Sequence, residues 1–266
     1  MKNWKKIELF FMALLIVIML VAIYALSTIF KEYHDGRAAY SSLDAYVFLP
    51  PEPTTNPVNR QPSDAAPSEV PEETFELGAA PVVDFPSLKA QSSDCVGWIY
   101  SPQTAINYPL VKGADNDFYQ SHMFNGTANK CGAIFLDCLN AGDLSDQNTL
   151  VYGHHMKNGS MFASIVGYAQ QDYYEAHPAY WVVTPDQNYQ VSIFSAFLTD
   201  TESDVWQMSF ASTDAFGKWL DTMTRRSFIK SDVVPTVNDR VITLSTCSYE
   251  TENARFVVMG ILQPAS

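Results

Sequence analysis

VITLSTC (Val241–Cys247), followed by RFVVMGIL (Arg255–Leu262), is the stretch whose reading decides the fold. Both runs are rich in β-branched and large apolar residues and are separated only by a short polar connection, the pattern of two neighbouring strands. Cys247 closes the first run and Arg255 opens the second, so thiol and guanidinium would emerge at the same rim. A thiol with an ordinary pKa of about 8.5 is mostly protonated at neutral pH, and a nucleophilic role needs a base or cation beside it. Arginine offers a fixed charge and a fork of donors suited to a developing oxyanion. Taken alone, the pair reads more readily as a buried small hydrophobe and a solvated strand-end charge than as a reacting pair.

Outward from this pair, the chain after Leu88 is a series of short strand-like runs broken by turn residues. They are Val96–Tyr100, Ala105–Val111, Ala133–Leu136, Thr149–Tyr152, Tyr180–Thr184, Tyr189–Leu198 and Arg240–Thr246, with Arg255–Leu262 last. Eight short strands with few helical patterns predict a mainly β domain, either a closed barrel or a sandwich. One helix interrupts them: Phe216, Trp219, Leu220 and Met223 follow helical spacing behind a cap at Ser212 or Thr213. A weaker helical pattern follows Gly159 (Met161, Phe162, Ile165, Val166, Tyr168).

The first 30 residues are of another kind. Leu9–Leu26 carries no charge, inside an apolar stretch from Ile7 to Phe30. A 24-residue helix is about 36 Å long, enough to cross a hydrocarbon core of about 30 Å. Lys2, Lys5 and Lys6 precede it, which places the N-terminus in the cytoplasm and everything after Phe30 outside. Ala25-Leu26-Ser27 offers a cleavable signal peptide as the competing reading, but the apolar run exceeds the 7–15 residues usual there. The expected organisation is therefore a cytoplasmic tip and transmembrane anchor (1–30), a juxtamembrane segment with helical potential (31–49), a proline-rich extracellular linker (50–86) and a catalytic or binding head (87–266). Nine of the 15 prolines fall in the linker, which if extended would reach about 110 Å.

Sixteen Lys and Arg against 29 Asp and Glu give a net charge of −13. The acidic excess lies beyond the anchor and would repel phosphate backbones, which argues against nucleic-acid binding. Four cysteines without a C-x-x-C pair argue against a disulfide scaffold and a structural zinc site. Cys95, Cys131 and Cys138 read by default as buried small side chains, although the spacing also allows a Cys131–Cys138 bridge. Asp115, Asn116 and Asp117 read as a polar turn, and the tyrosines around Tyr173 and Tyr174 as cover for the core.

Two histidines, His154 and His155, follow the run TLVYG. Successive residues at a strand end point to opposite sides, so at most one would face the thiol. A histidine of near-neutral pKa is the usual acid/base for a cysteine nucleophile, although alone such a pair more often marks a metal site or a structural pair. His34, His122 and His177 carry no comparable signal.

The string NTLVYGHHMKNGSMF (Asn148–Phe162), then VITLSTC, then Arg255 resembles the sortases, and specifically class B. DCVGWIY (Asp94–Tyr100), INYPLVKGADNDFY (Ile106–Tyr119) and GAIFLD (Gly132–Asp137) extend the resemblance, in order, over about residues 85–263. It implies an eight-stranded sortase-type β-barrel with peripheral helices, the class B helix falling on Ser212–Ser227. It further implies a cysteine transpeptidase that cleaves the C-terminal sorting signal of secreted proteins. Cys247 would be the nucleophile and form a thioacyl intermediate. His154 would be the general acid and then base, His155 a neighbour, and Arg255 the oxyanion stabiliser and substrate clamp. A peptidoglycan precursor amine would resolve the intermediate, with no metal or other cofactor. The segment Thr199–Val234 would govern substrate recognition. L,D-transpeptidases are the nearest enzyme rival, but their S-x-G-C-x-R pattern is not met where Ser248 and Tyr249 follow Cys247. Papain-like peptidases place cysteine before histidine, the reverse of the order here. A pilin-polymerising relative would use a lysine acceptor, and a tethered wall-binding barrel would use no chemistry at all.

Overall fold

The computed structural model describes residues 2–50, 77–247 and 253–265. From the N-terminus these form helix α1 (Lys2–Ser41), the two-residue strand β1 (Val47–Phe48), its partner β2 (Val82–Val83) and the short helix α2 (Phe85–Gln91). Eight longer strands follow: β3 (Cys95–Tyr100), β4 (Asn107–Val111), β5 (Ile134–Leu136), β6 (Asn148–Tyr152), β7 (Ala179–Val183), β8 (Asn188–Thr199), β9 (Val241–Cys247) and β10 (Arg255–Pro264). Helix α3 (Gln171–Ala176) precedes β7, and α4 (Thr213–Arg225) lies between β8 and β9.

The eight strands close into one barrel in the order β10-β8-β7-β3-β4-β5-β6-β9. All pairs are antiparallel except β4–β5 and β6–β9. Every strand expected from the sequence is present. The expected run from Ala105 starts at Asn107 because the preceding residues form a turn closed by Ser101 N–H donating to the Ile106 carbonyl (2.9 Å).

Strand alternation supplies two apolar layers. Along β10, Phe256 and Val258 face the interior with Ile242 and Leu244. Val257, Met259 and Ile261 face outward beneath α4, against Phe216, Trp219, Leu220 and Met223. The Ser212 hydroxyl caps α4 by accepting from Ala215 N–H (3.1 Å). A second outer layer, with Trp98, Phe135 and Trp181, is covered by Leu43, Leu77, Phe85 and Leu88. Each such large side chain contributes about 1.5–3 kcal/mol on burial, so both helical flanks are part of the fold rather than ornaments on it.

The weak helical pattern expected after Gly159 is present, in a tighter form than an α-helix. Ala163–Ala169 is a 3-10 helix, and the chain turns extended at Gln170 before α3. Phe162, Ile165 and Tyr168, all buried, are three apart, which is the period of a 3-10 helix and not of an α-helix.

Every residue of α1 from Ile7 to Phe30 is exposed, and the helix contains an 18-residue window of mean hydropathy 3.0. It is long and apolar enough to cross a membrane. The helical potential of Lys31–Tyr46 is realised as a continuation of α1, followed by a 3-10 turn over Ser42–Tyr46. β1 and β2 then pair antiparallel, Val47 with Val83 and Phe48 with Val82. The proline-rich stretch therefore departs from the domain and returns to it at one place; its residues 51–76 lie outside the described residues.

Candidate active site

Strands β6 and β9 run parallel, with Tyr152 level with Ser245, so both reach the same barrel edge at their C-terminal ends. Beyond the last pair they stay tied: Gly153 N–H donates to the Ser245 carbonyl (3.1 Å) and the Thr246 hydroxyl donates to the Gly153 carbonyl (2.7 Å). The next residues out are His154 on one strand and Cys247 on the other. β10 begins at this edge, with Arg255 directly paired with Cys247. Neighbouring strands lie about 4.8 Å apart, so three adjacent strands deliver His154, Cys247 and Arg255 to one rim. The Cys247 backbone ends β9; its side chain lies outside the described residues.

A cleft of about 280 Å³ opens on this rim, lined among others by His154, Arg255, Thr246, Tyr152 and Trp206. Of the two adjacent histidines, His154 lines it; the backbone of His155 bridges to Met161, following the strand-end alternation. His154 is half-buried and its Nε2 lies 2.6 Å from the Gln120 carbonyl. A carbonyl can only accept, so Nε2 carries a proton and Nδ1 is left for exchange. Arg255 is half-buried, with one Nη1 donating to the Ala254 carbonyl (3.0 Å) and donors to spare.

The cleft floor is a polar network that the sequence reading did not single out. Buried Asp137 accepts from the Tyr152 hydroxyl (2.9 Å), the Asn116 amide (2.9 Å) and Leu139 N–H (2.9 Å). Burial first, and then the Asp137 charge, hold the Tyr152 phenol far above its ordinary range, outweighing the opposing pull of Arg255. Tyr152 is thus a fixed neutral donor. The expected polar turn is present, Asp115 accepting from the N–H groups of Asp117 and Phe118, but Asn116 swings inward from it to Asp137. Trp206, from the segment between β8 and β9, walls the cleft with its ring 6.3 Å from that of Tyr152. No local spacing signals these residues, because their partners lie 15 and 21 positions away in sequence.

Cys95, Cys131 and Cys138 are thiols, and the Cys131–Cys138 bridge that the spacing allows is not formed. Burial pushes the Cys95 and Cys131 thiols up to about 11. Among the described residues, no three His, Cys, Asp or Glu side chains converge into a group that could hold a metal.

The Sortase domain family model matches residues 99–263, which spans β4 to β10 and all three rim positions. The chain belongs to the sortase family. Its likeness to class B members is specific: Sortase B of Listeria monocytogenes is 37% identical over 177 residues, 66% of this chain and 72% of that protein. Sortase B of Staphylococcus aureus is 36% identical over 178 residues, 66% of this chain and 73% of that protein. The structure of a Staphylococcus aureus sortase B-substrate complex superposes with a TM-score of 0.66 at 35% identity, covering 68% of this chain and 85% of that one. This sortase is accordingly a class B cysteine transpeptidase built on the eight-stranded barrel of that class.

Proposed function

We propose that Cys247, His154 and Arg255 are the reacting set, and that the sortase cleaves a C-terminal sorting signal of secreted proteins and transfers the product to a peptidoglycan amine. The observation that carries this is the register of three adjacent strands, Tyr152 level with Ser245 and Cys247 paired with Arg255. The Cys247 sulfur attacks as the thiolate, its proton held on Nδ1 of the His154 imidazolium, and forms a bond to the scissile carbonyl carbon while the carbonyl oxygen takes the negative charge. Arg255 meets that oxyanion with its unused donors. His154 delivers a proton from Nδ1 to the departing amine, leaving a thioacyl enzyme. The acceptor amine attacks the thioester, His154 takes up its proton, and the sulfur leaves. The likeness to a Staphylococcus aureus sortase B-substrate complex supports a substrate-binding role for this cleft.

The same reading has α1 span the membrane once, with its lysine-bearing end cytoplasmic and the barrel outside. Because α1 continues into the fold and the proline-rich stretch leaves and re-enters at the β1–β2 ribbon, the head stands on its anchor directly. On this reading the proline-rich linker lies between β1 and β2 and does not separate the head from its anchor.

The test offers the full chain, in detergent micelles, a library of sorting-type pentapeptides with several amine acceptors and reads products by mass spectrometry. Acyl transfer that disappears in Cys247→Ala is the expected result; no peptide cleavage with any member would overturn the reading. Thiol alkylation at pH 7 separates an enzyme from a wall-binding barrel. With pKa values of about 11, Cys95 and Cys131 hold a thiolate fraction on the order of 10⁻⁴ and stay unlabelled. Cys138, a half-buried thiol, is the internal reference: Cys247 labels faster than Cys138 in the wild type, and that advantage is lost in His154→Ala and Arg255→Ala.

A further inference from the structure

The loop between β4 and β5 has two faces, one against His154 and one against α1. On the first, the Gln120 carbonyl holds His154 Nε2 at 2.6 Å. Gly132 backs the imidazole: it sits at φ +60°, and a Cβ there would lie 2.6 Å from the Tyr119 carbonyl oxygen and 3.0 Å from His154 Cδ2. Only glycine takes that conformation at such contact distance without strain. On the second face, the Tyr40 hydroxyl of α1 donates to the Gly132 carbonyl (2.6 Å). One residue is thus gripped by the helix through its oxygen and makes room for the histidine on the side where a Cβ would stand.

The grip is repeated along the last turns of α1. Asn129 Nδ2 donates to the Glu32 carbonyl (3.0 Å), and Lys130 pairs with the Glu32 carboxylate (2.9 Å). Buried Gly36 lies against Cys131, where a Cβ would meet Sγ at 3.0 Å. The Tyr40 ring stands edge-on to Tyr108 (5.2 Å between centroids) and also meets Phe124. Every one of these polar contacts lands on residues 129–132, immediately before β5.

Resting on the functional reading above, we propose that Tyr40 is a positioning residue for His154. Through Gly132 it holds the loop that fixes the imidazole, so that the end of the apolar helix forms the back wall of the active site. The surface Lys130–Glu32 pair adds little by itself. The Tyr40 bond is short and enclosed, and its carbonyl acceptor belongs to Gly132, whose missing Cβ makes room for the imidazole.

The experiment compares the full chain in micelles with Tyr40→Phe, which keeps the ring packing and removes only the hydroxyl. Three readouts are taken: kcat and KM for acyl transfer, the histidine limb of the pH–rate profile, and the imidazole ¹⁵N spectrum of His154. The expected result is a kcat lower by about tenfold, within the range that small misplacements near a reacting group produce. KM should stay within about twofold, and the His154 ¹⁵N signals and the pH limb should move together. Asn129→Ala should move the same signals less. A Tyr40→Phe enzyme with unchanged kcat, pH limb and ¹⁵N spectrum overturns the proposal, including when its melting temperature falls, because a merely structural hydroxyl would do only that. If the wild type performs no acyl transfer, the functional reading fails. The ¹⁵N comparison then still decides whether Tyr40 orients His154.

Discussion

The two sides of the cleft are held by different physics. Cys247 and Arg255 are set by the ladder of β9 against β6 and β10, where seven consecutive backbone pairs from Val241–Ile261 to Cys247–Arg255 fix the register. His154 lies one residue past the last ladder link and is aimed by a turn, by the Gln120 carbonyl and by the loop ending at Gly132. A ladder tolerates side-chain changes because its bonds are main-chain. A loop placement depends on particular atoms. Substitutions that remove a reacting group without touching the ladder should therefore abolish chemistry and spare stability, and those on the loop side should disturb both.

The largest effect tests the ladder side. Cys247→Ala keeps the backbone pairing with Arg255 and should lower acyl transfer by on the order of 10⁴–10⁶, with the melting temperature unchanged. A large drop in melting temperature would show that the thiol supports the fold. Arg255→Lys comes next. It keeps a positive charge and loses the planar fork, so a loss of about 10²–10³ in kcat is expected if the fork meets an oxyanion. Near-normal turnover would reduce Arg255 to a general electrostatic influence.

The same contrast explains what could be read from the sequence. The barrel strands were legible because alternation writes both layers into each run: Val257 and Met259 under α4, Phe256 and Val258 inside. The shared rim of Cys247 and Arg255 is legible for the same reason, as the facing ends of two such runs, while their reacting roles rest on the sortase resemblance. The His154 side was legible only in part. Alternation lets only one histidine of the pair face the thiol and the sortase resemblance names His154, but Gln120 and Gly132 reach it from 34 and 22 residues away and Tyr40 through Gly132, and no local pattern encodes that. The helix after Gly159 is legible as helical but not as 3-10, because spacings of three and four are mixed there and only packing selects between them. The docking of α1 was hidden by its own hydropathy, which marks Ile7–Phe30 and says nothing of Gly36 or Tyr40.

Gly132→Ala tests the loop side at its tightest point. A Cβ would force the loop away from the Tyr119 carbonyl and the imidazole, and a positive φ costs a non-glycine residue on the order of 1–3 kcal/mol. The expected outcome is a moderate fall in melting temperature together with about a tenfold loss of kcat. In the ladder-side variants these two effects should separate. Were Gly132→Ala to lose stability alone, His154 would be held by β6 without help from the loop.

The smallest effect sharpens the boundary between the two sides. The Thr246 hydroxyl bonded to the Gly153 carbonyl (2.7 Å) is the last tie between β9 and β6 before His154 and Cys247. It is also the one rim contact in that tie made by a side chain. Thr246→Val preserves shape and β-branching and removes that bond, leaving one carbonyl poorer by an acceptor contact, a loss of about 1 kcal/mol. The neighbouring Gly153–Ser245 link (3.1 Å) is main-chain and persists. If the ladder governs the rim, the variant should show a small fall in melting temperature and a kcat within about threefold of wild type. A loss comparable to that of Gly132→Ala would move the boundary inward: Gly153 would belong with the loop, and His154 would be aimed through Thr246 as much as through Gln120.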